Sequence, residues 1–264
     1  MDLGLRGKVA AIGGGSAGLG LATAMALAGE GASVVLASRS AARVQQAVSA
    51  VRAASGGGDA SGVVADLSTA EGCEAFLAAV QGRHGGLDCL LLNGGGPRQG
   101  LALETDDAGW RQAFEGVVLS VVRQVRLAVP LMLARGGGRI VAVTSTSVRQ
   151  PIPDLVLSNA LRAAVVGFCK CVANEYAARG VLVNCLAPGR IATERIVSLD
   201  AARSAREGIP PEEIERHHLA GIPAGRYGRP EEYGRAAAFL LSFANTYITG
   251  SHVYVDGGLV RSPL

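Results

Sequence analysis

Short apolar runs alternate with longer amphipathic stretches from the start of this chain to its end. Residues 8–12 form an apolar run ending in glycines, 18–29 carry apolar side chains at helical spacing, 33–37 are rich in β-branched residues, and 41–54 return to helical spacing. The stretches 61–65, 70–81 and 87–92 continue the rhythm, and 107–133 reads as one long amphipathic helix ending before glycines. A buried strand at 140–144, a long helix at 156–179, a strand at 181–186, a helix at 230–243 and a last strand at 252–255 complete it. Strands alternating with helices at this spacing imply right-handed crossovers, hence an α/β fold: a doubly wound parallel sheet of about seven strands with helices on both faces. Only 187–227 breaks the alternation, being long and rich in Arg, Glu, Pro and Gly. At the carboxyl edge of a parallel sheet such a stretch predicts a substrate lid, roughly 189–227, rather than a linker.

Composition narrows this picture. With 264 residues, 49% of them hydrophobic, the chain is long enough for one full core, so 1–264 is expected to be a single domain. The formal charge is +3 and the arginines are scattered, without a basic run, which argues against a nucleic-acid partner. Cys73, Cys89, Cys169, Cys171 and Cys185 lack paired metal spacing and read as reduced core residues, so no metal site is expected. No uninterrupted 18-residue apolar run or signal-peptide core is found, and the expectation is a soluble cytoplasmic protein away from membranes.

The chemistry begins at residues 13–20, Gly-Gly-Gly-Ser-Ala-Gly-Leu-Gly, between the first strand and the first helix. Glycines allow a sharp turn and close approach to a pyrophosphate, while the helix start offers unpaired N–H groups and a positive dipole end. In this strand–turn–helix setting the loop predicts a Rossmann-type dinucleotide site built on Gly14, Ser16, Gly18, Leu19 and Gly20. The second strand selects the cofactor. No acid occurs between Gly31 and Gly58 to bind a ribose 2′-hydroxyl, whereas Ser38 and Arg39 could meet a 2′-phosphate. NADP(H) is therefore expected over NAD(H).

With further motifs the whole chain resembles the short-chain dehydrogenase/reductase family. Asp66-Leu67 matches its adenine-contacting acid, Asn93-Gly94-Gly95-Gly96 resembles its Asn-Asn-Ala-Gly segment, and Ala187-Pro188-Gly189 with Thr193 matches its nicotinamide-side segment. Tyr247-Ile248-Thr249-Gly250 and Val255-Asp256-Gly257-Gly258 resemble its C-terminal signature. The resemblance implies cofactor contacts from Asp66, Leu67, Asn93, Gly94, Gly95, Pro188, Gly189, Ile191 and Thr193. The nearest branch is similar to β-ketoacyl-carrier-protein reductases, and the run Leu155–Val156–Leu157–Ser158–Asn159 resembles an atypical subgroup of it. The family's long helices associate into tetramers, so a homotetramer, or at least a homodimer, is what the resemblance implies.

The departure lies in the catalytic tetrad of Asn, Ser, Tyr and Lys. Ser145 matches the serine, but the positions of the tyrosine and lysine are Ser158 and Arg162, and the helix asparagine falls on Val117. No tyrosine occurs before Lys170, so a shifted register recovers none. A serine hydroxyl is a poor proton donor near neutral pH, and an arginine does not cycle a proton. Loss of a positioned acid/base costs about 10²–10⁴-fold, while positioning of the reactants alone supplies ~7–11 kcal/mol. The expectation is that Ser145 and Ser158 hydrogen-bond a substrate oxygen, that Arg162 holds the cofactor ribose and stabilises alkoxide charge, and that water supplies the proton. Asp154 and Glu194 are candidate substitute acids whose plainer reading is as solvated carboxylates.

Arg98, Arg149, Arg190 and Arg195 fall on loops expected around the mouth of the site, where they either recognise an anionic substrate or serve as surface residues. His217 and His218 read as solvated lid residues. The functional expectation is an NADP-dependent oxidoreductase reducing a carbonyl or oxidising an alcohol of a small molecule. Two alternatives stand beside it: a cofactor-binding protein without redox turnover, such as a regulatory partner, and a lyase or isomerase on the same scaffold.

Overall fold

The computed structural model describes residues 1–262. Seven parallel strands form one sheet in the order β3-β2-β1-β4-β5-β6-β7. They are β1 (Val9–Ile12), β2 (Ser33–Ser38), β3 (Ala60–Val64), β4 (Cys89–Leu92), β5 (Gly138–Val143), β6 (Val181–Pro188) and β7 (His252–Val255). Every residue of β1, β4 and β5 is buried, because helices cover both faces and a strand between them must be apolar throughout. This is the Rossmann-type doubly wound sheet that the alternating pattern predicts, with each predicted strand present.

The helices are α1 (Gly18–Gly29), α2 (Ala41–Ala53), α3 (Ala70–His84), α4 (Asp107–Phe114), α5 (Ser120–Leu133), α6 (Val156–Tyr176), α7 (Glu194–Glu207), α8 (Pro211–Ala220) and α9 (Pro230–Leu241). On one face Phe76 of α3, Val121 and Val125 of α5 and Leu161 and Val165 of α6 pack against Ile140 and Ala142 of the sheet. On the other, Leu27 of α1, Val44 of α2 and Tyr233 and Leu241 of α9 pack against Ile12, Leu36 and Val143. Helices α1 and α9 approach closely at Gly234, where a Cβ would stand 2.6 Å from the Ala22 carbonyl oxygen.

Two features refine the sequence expectation. The predicted helix 107–133 carries a π turn at Glu115–Leu119 between α4 and α5, and Val117 sits buried within it. A π turn widens the backbone ladder locally, and such turns concentrate at functional sites. The lid, expected only as an irregular stretch, contains α7 and α8. Among the described residues α7 buries none of its side chains and α8 buries Ile214 alone, so the apolar periodicity that reveals a core helix is nearly missing.

Helices Asp107–Leu133 and Val156–Arg179 are long and apolar enough to pass for membrane spans by length and composition. About half of each apolar stretch, 50% and 44%, is buried against the protein itself.

Candidate functional site

Strand order reverses between β1 and β4, with β2 and β3 on one side and β5 to β7 on the other. The crevice beyond the carboxyl ends of strands at such a switch point is where α/β sheets bind ligands. A cavity of about 930 Å³ lies there, inside the usual range for ligand clefts.

The glycine turn forms one wall. Gly14 and Gly18 adopt φ of +55° and +53°, a left-handed backbone that glycine reaches without strain. Gly20 must be glycine for a different reason: a Cβ there would collide with the Gly14 carbonyl oxygen. Asn93, at the end of β4, donates from its amide to the Gly13 and Gly14 carbonyl oxygens, both at 3.2 Å. Ser16 donates to Ser38 at 2.8 Å, tying the turn to the end of β2. Helix α1 starts without a side-chain cap, whereas Ser40, Thr69 and Asp106 cap α2, α3 and α4. Its first N–H groups therefore remain available to an anion.

The sequence-predicted residues divide into two sets. Gly14, Ser16, Ser38, Arg39, Asp66, Leu67, Asn93, Gly94 and Gly95 all line the cavity. Asp66 accepts from the Ser68 N–H at 3.0 Å and the Ser68 hydroxyl at 2.8 Å, and these bonds together with the Arg39 charge hold its carboxyl below the usual carboxylate range. Arg39 makes no ion pair among the described residues. Arg43, unremarked in the sequence, joins it on the cavity wall and pairs with Glu194 of α7 at 3.2 Å. Its position one helical turn beyond Arg39 was the available signal.

Gly18, Leu19, Gly20, Pro188, Gly189, Ile191 and Thr193 stand outside that lining. The Thr193 methyl packs toward Gly18, and the Ile191 side chain is buried against Gly228, leaving only its backbone to face a ligand. Gly189 lies so close to Asp256 that a Cβ would come within 2.6 Å of its Cα, which locks the Pro-Gly segment onto the C-terminal Asp-Gly-Gly.

Ser145, Ser158 and Arg162 also lie outside the cavity lining: Ser145 follows β5, Arg162 is held at the end of that strand, and Ser158 precedes Arg162 on α6. Ser145 caps the short turn that follows, its Oγ accepting from the Ser147 N–H at 3.0 Å. Ser158 and Arg162 are one turn apart on α6 and both are buried. The Arg162 guanidinium donates to the Val143 carbonyl at 2.6 Å. Burial, with a smaller contribution from the Arg195 charge, pushes its pKa down to about 10, so it remains a cation at neutral pH. Tyr233 of α9 is fully buried and donates to the Leu186 carbonyl at 3.1 Å. Burial pushes its pKa up, the wrong direction for an acid near neutrality.

The other candidates are engaged elsewhere. Asp154 is not a free solvated carboxylate: it pairs with Arg206 of α7 at 2.6 Å while holding φ at +62°. Glu194 takes Arg43. Arg98 pairs with Asp106 at 2.8 Å, and Arg190 with Asp200 at 2.8 Å. Arg149 is exposed, and the Arg195 guanidinium lies against Gly96 in the volume a side chain there would fill. His252 bridges Thr144 at 2.9 Å and Tyr254 at 3.2 Å, a chain of polar groups on β7 beside Ser145 that strand periodicity hides.

The lid is organised on Asp200, which takes Arg190, accepts from the Tyr227 hydroxyl at 3.1 Å and lies 3.4 Å from His218. His217 is exposed as expected, but His218 is not a solvated lid residue. Arg190 already occupies the Asp200 oxygen nearest His218, so burial and the Arg190 charge prevail and push the His218 pKa down to about 4.

Comparison with known proteins follows the same outline. A family described as enoyl-(acyl carrier protein) reductase matches residues 14–260. The chain is 34% identical to the 3-oxoacyl-(acyl-carrier-protein) reductase of Vibrio cholerae over 256 residues, covering 97% of this chain and 98% of that protein. It is 34% identical to dehydrogenase/reductase SDR family member 4 of Oryctolagus cuniculus, over 96% of this chain and 94% of that one. Among solved structures, the L-sorbose reductase of Gluconobacter frateurii, complexed with NADPH and L-sorbose, superposes with a TM-score of 0.94 at 34% identity, covering 99% of this chain and 100% of that one.

The neutral His218 makes stability fall in mild acid. As pH drops below 6.5 the unfolded chain takes up a proton that the folded lid refuses until about pH 4. Between pH 7 and pH 5 this site should cost about 2 kcal/mol of unfolding free energy, by the linkage relation. His218→Asn should remove that part of the slope in urea titrations at the two pH values; an unchanged slope would refute the assignment.

Proposed function

The chain belongs to the short-chain dehydrogenase/reductase family, and on that footing we propose that it is a soluble, cytoplasmic NADPH-dependent oxidoreductase. It reduces the carbonyl, or oxidises the alcohol, of a small molecule at a non-standard site formed by Ser145, Ser158 and Arg162. The observation that carries this reading is the convergence of nine sequence-predicted cofactor residues on one cavity at the switch point of the sheet. The cavity fits a dinucleotide: side chains are excluded at Gly14 and Gly20, and the uncapped start of α1 faces the turn. Arg39 and Arg43 supply cations at the end of β2 for a 2′-phosphate. The cytoplasmic part of the reading is supported by five free cysteines, four of them buried.

NADPH, when bound, supplies the hydride. The chain's own residues bind, orient and stabilise. Because Ser145 Oγ accepts from the Ser147 N–H, its hydroxyl hydrogen is left to donate to a substrate oxygen. Ser158 lies one turn before Arg162 on α6, where it too is buried. Arg162, held by the Val143 carbonyl, places a permanent positive charge where an alkoxide develops. Water delivers the proton. Val117, at the position of the family's helix asparagine, carries no polar group to take part in this.

A second reading, a cofactor-binding protein without redox turnover, is favoured by one observation. The carboxylates of Asp154 and Glu194, the candidate substitute acids, are both held in ion pairs with arginines.

The two readings separate on a panel of ketones, aldehydes and acyl thioesters followed at the nicotinamide absorbance. Turnover is expected in the parent chain, at a rate about 10²–10⁴-fold below that of an enzyme with a positioned acid. Tight NADPH binding with no turnover, and none gained in Ser158→Tyr/Arg162→Lys, would leave only the second reading. Cofactor preference is a separate matter. Arg39→Asp should weaken NADPH binding about 10–100-fold, as expected for lost charge-assisted hydrogen bonds, and spare NADH. Equal affinity of the parent for both cofactors would overturn it.

The proposal includes a homotetramer or homodimer. Its support is the apolar surface of the two long helices that the chain leaves uncovered. Light scattering at micromolar concentration should read a multimer, and a monomer would dismiss it.

A further inference from the structure

Four arginines stand around the mouth of the site, and the structure separates them. Arg98 and Arg190 are neutralised by Asp106 and Asp200. Arg149 is exposed beyond β5. Arg195, in the first turn of α7, is exposed as well and makes no ion pair among the described residues, but its guanidinium lies across Gly96, which lines the cavity.

Arg162 is another cation without an ion pair. It is almost fully buried, and among the described residues no carboxylate pairs with it. The Val143 carbonyl takes one of its guanidinium N–H donors, and the others, none of them a fully buried orphan, are open to water or a ligand. The Arg195 charge acts on it unfavourably. A guanidinium largely removed from solvent and acted on by a second cation favours an anion nearby.

The cofactor's own diphosphate does not meet this need. The open start of α1 and the Gly14–Gly18 turn provide for a diphosphate, whereas the Arg195 guanidinium, reaching from the first turn of α7, lies against Gly96 on the loop that follows β4. We propose that the substrate carries a carboxylate or phosphate group close to its reacting carbonyl, and that Arg195 receives that group. The two oxyanions share the geometry that a guanidinium fork recognises. This inference rests on the oxidoreductase reading for the word substrate, but binding tests it without turnover.

The probes are two matched pairs presented to NADPH-saturated protein: 2-oxo-octanoate with its methyl ester, and dihydroxyacetone phosphate with dihydroxyacetone. Calorimetry should show the anionic member of one pair binding about 10–100-fold more tightly, the range for a charge-assisted hydrogen bond. Which pair shows the preference separates carboxylate from phosphate. Arg195→Met should abolish the preference, Arg195→Lys should restore part of it, and the NADPH dissociation constant should stay within about twofold in both. No anion preference in either pair would overturn the proposal. So would an Arg195→Met protein that loses NADPH affinity instead, since the anion would then belong to the cofactor. Failure to bind NADPH at all is a different result, one that removes the oxidoreductase reading itself.

Discussion

The contact between Asn93 and the glycine turn is the constraint from which the rest of this site follows. Two amide hydrogen bonds run from the end of β4 to the carbonyl oxygens of Gly13 and Gly14 at the end of β1. They join the adjacent strands between which the strand order reverses, so the loops that diverge there are fixed to each other at their roots. The Gly13 and Gly15 N–H groups are taken by the Leu91 and Ala37 carbonyls, so the turn is tied to β4 and β2, and the donors left for an anion are those at the uncapped start of α1. The close approach of Gly20 to Gly14 tightens the same turn from the helix side. Gly94 and Gly95 then continue from Asn93 along the cavity wall, above the π turn that holds Val117.

The lid depends on the same arrangement at second hand. Residues of α7 reach three separate parts of the site: Glu194 pairs with Arg43 of α2, Arg195 lies on Gly96, and Arg206 pairs with Asp154 before α6. Surface ion pairs of this kind are individually weak, worth about 0–1 kcal/mol. The partly buried Asp200, shared by Arg190 and Tyr227, is what gives the segment an internal structure to be held by. A lid with an organised interior and weak outer ties can move as a body.

The sheet was legible because each strand is an apolar run of the right length between glycine-rich turns, and burial on both faces leaves that signal undiluted. The cofactor wall was legible for a related reason: backbone-dominated recognition requires glycine at fixed places, and glycine is visible in a sequence. The lid helices were not, since a helix exposed on nearly every side has no stripe to betray it. The arginines were legible as charges but not as partners. Nothing in the sequence distinguishes Arg195 from Arg98 or Arg190; the difference lies in whether the fold brings a carboxylate to each. The same limit hid the ion pairs of Asp154 and Glu194 and the contact of His218 with Asp200.

That distribution of charge bears on chemistry. The carboxylates considered as acids are engaged with arginines in surface ion pairs, and Tyr233 is sealed against solvent with its pKa pushed up. What remains near the end of β5 is two serine hydroxyls and a guanidinium that stays charged at any physiological pH. Such a set stabilises negative charge well and transfers protons poorly. On the proposed reading, its contribution to rate is therefore made before the proton arrives, by lowering the energy of an oxyanion in a site of low dielectric. A fixed cation does this without changing protonation state, which frees the step from the pH range in which a phenol paired with a lysine is effective. The exchange of an acid for a field is coherent only if the field is strong where the charge forms, and the depth at which Val143 holds Arg162 provides that.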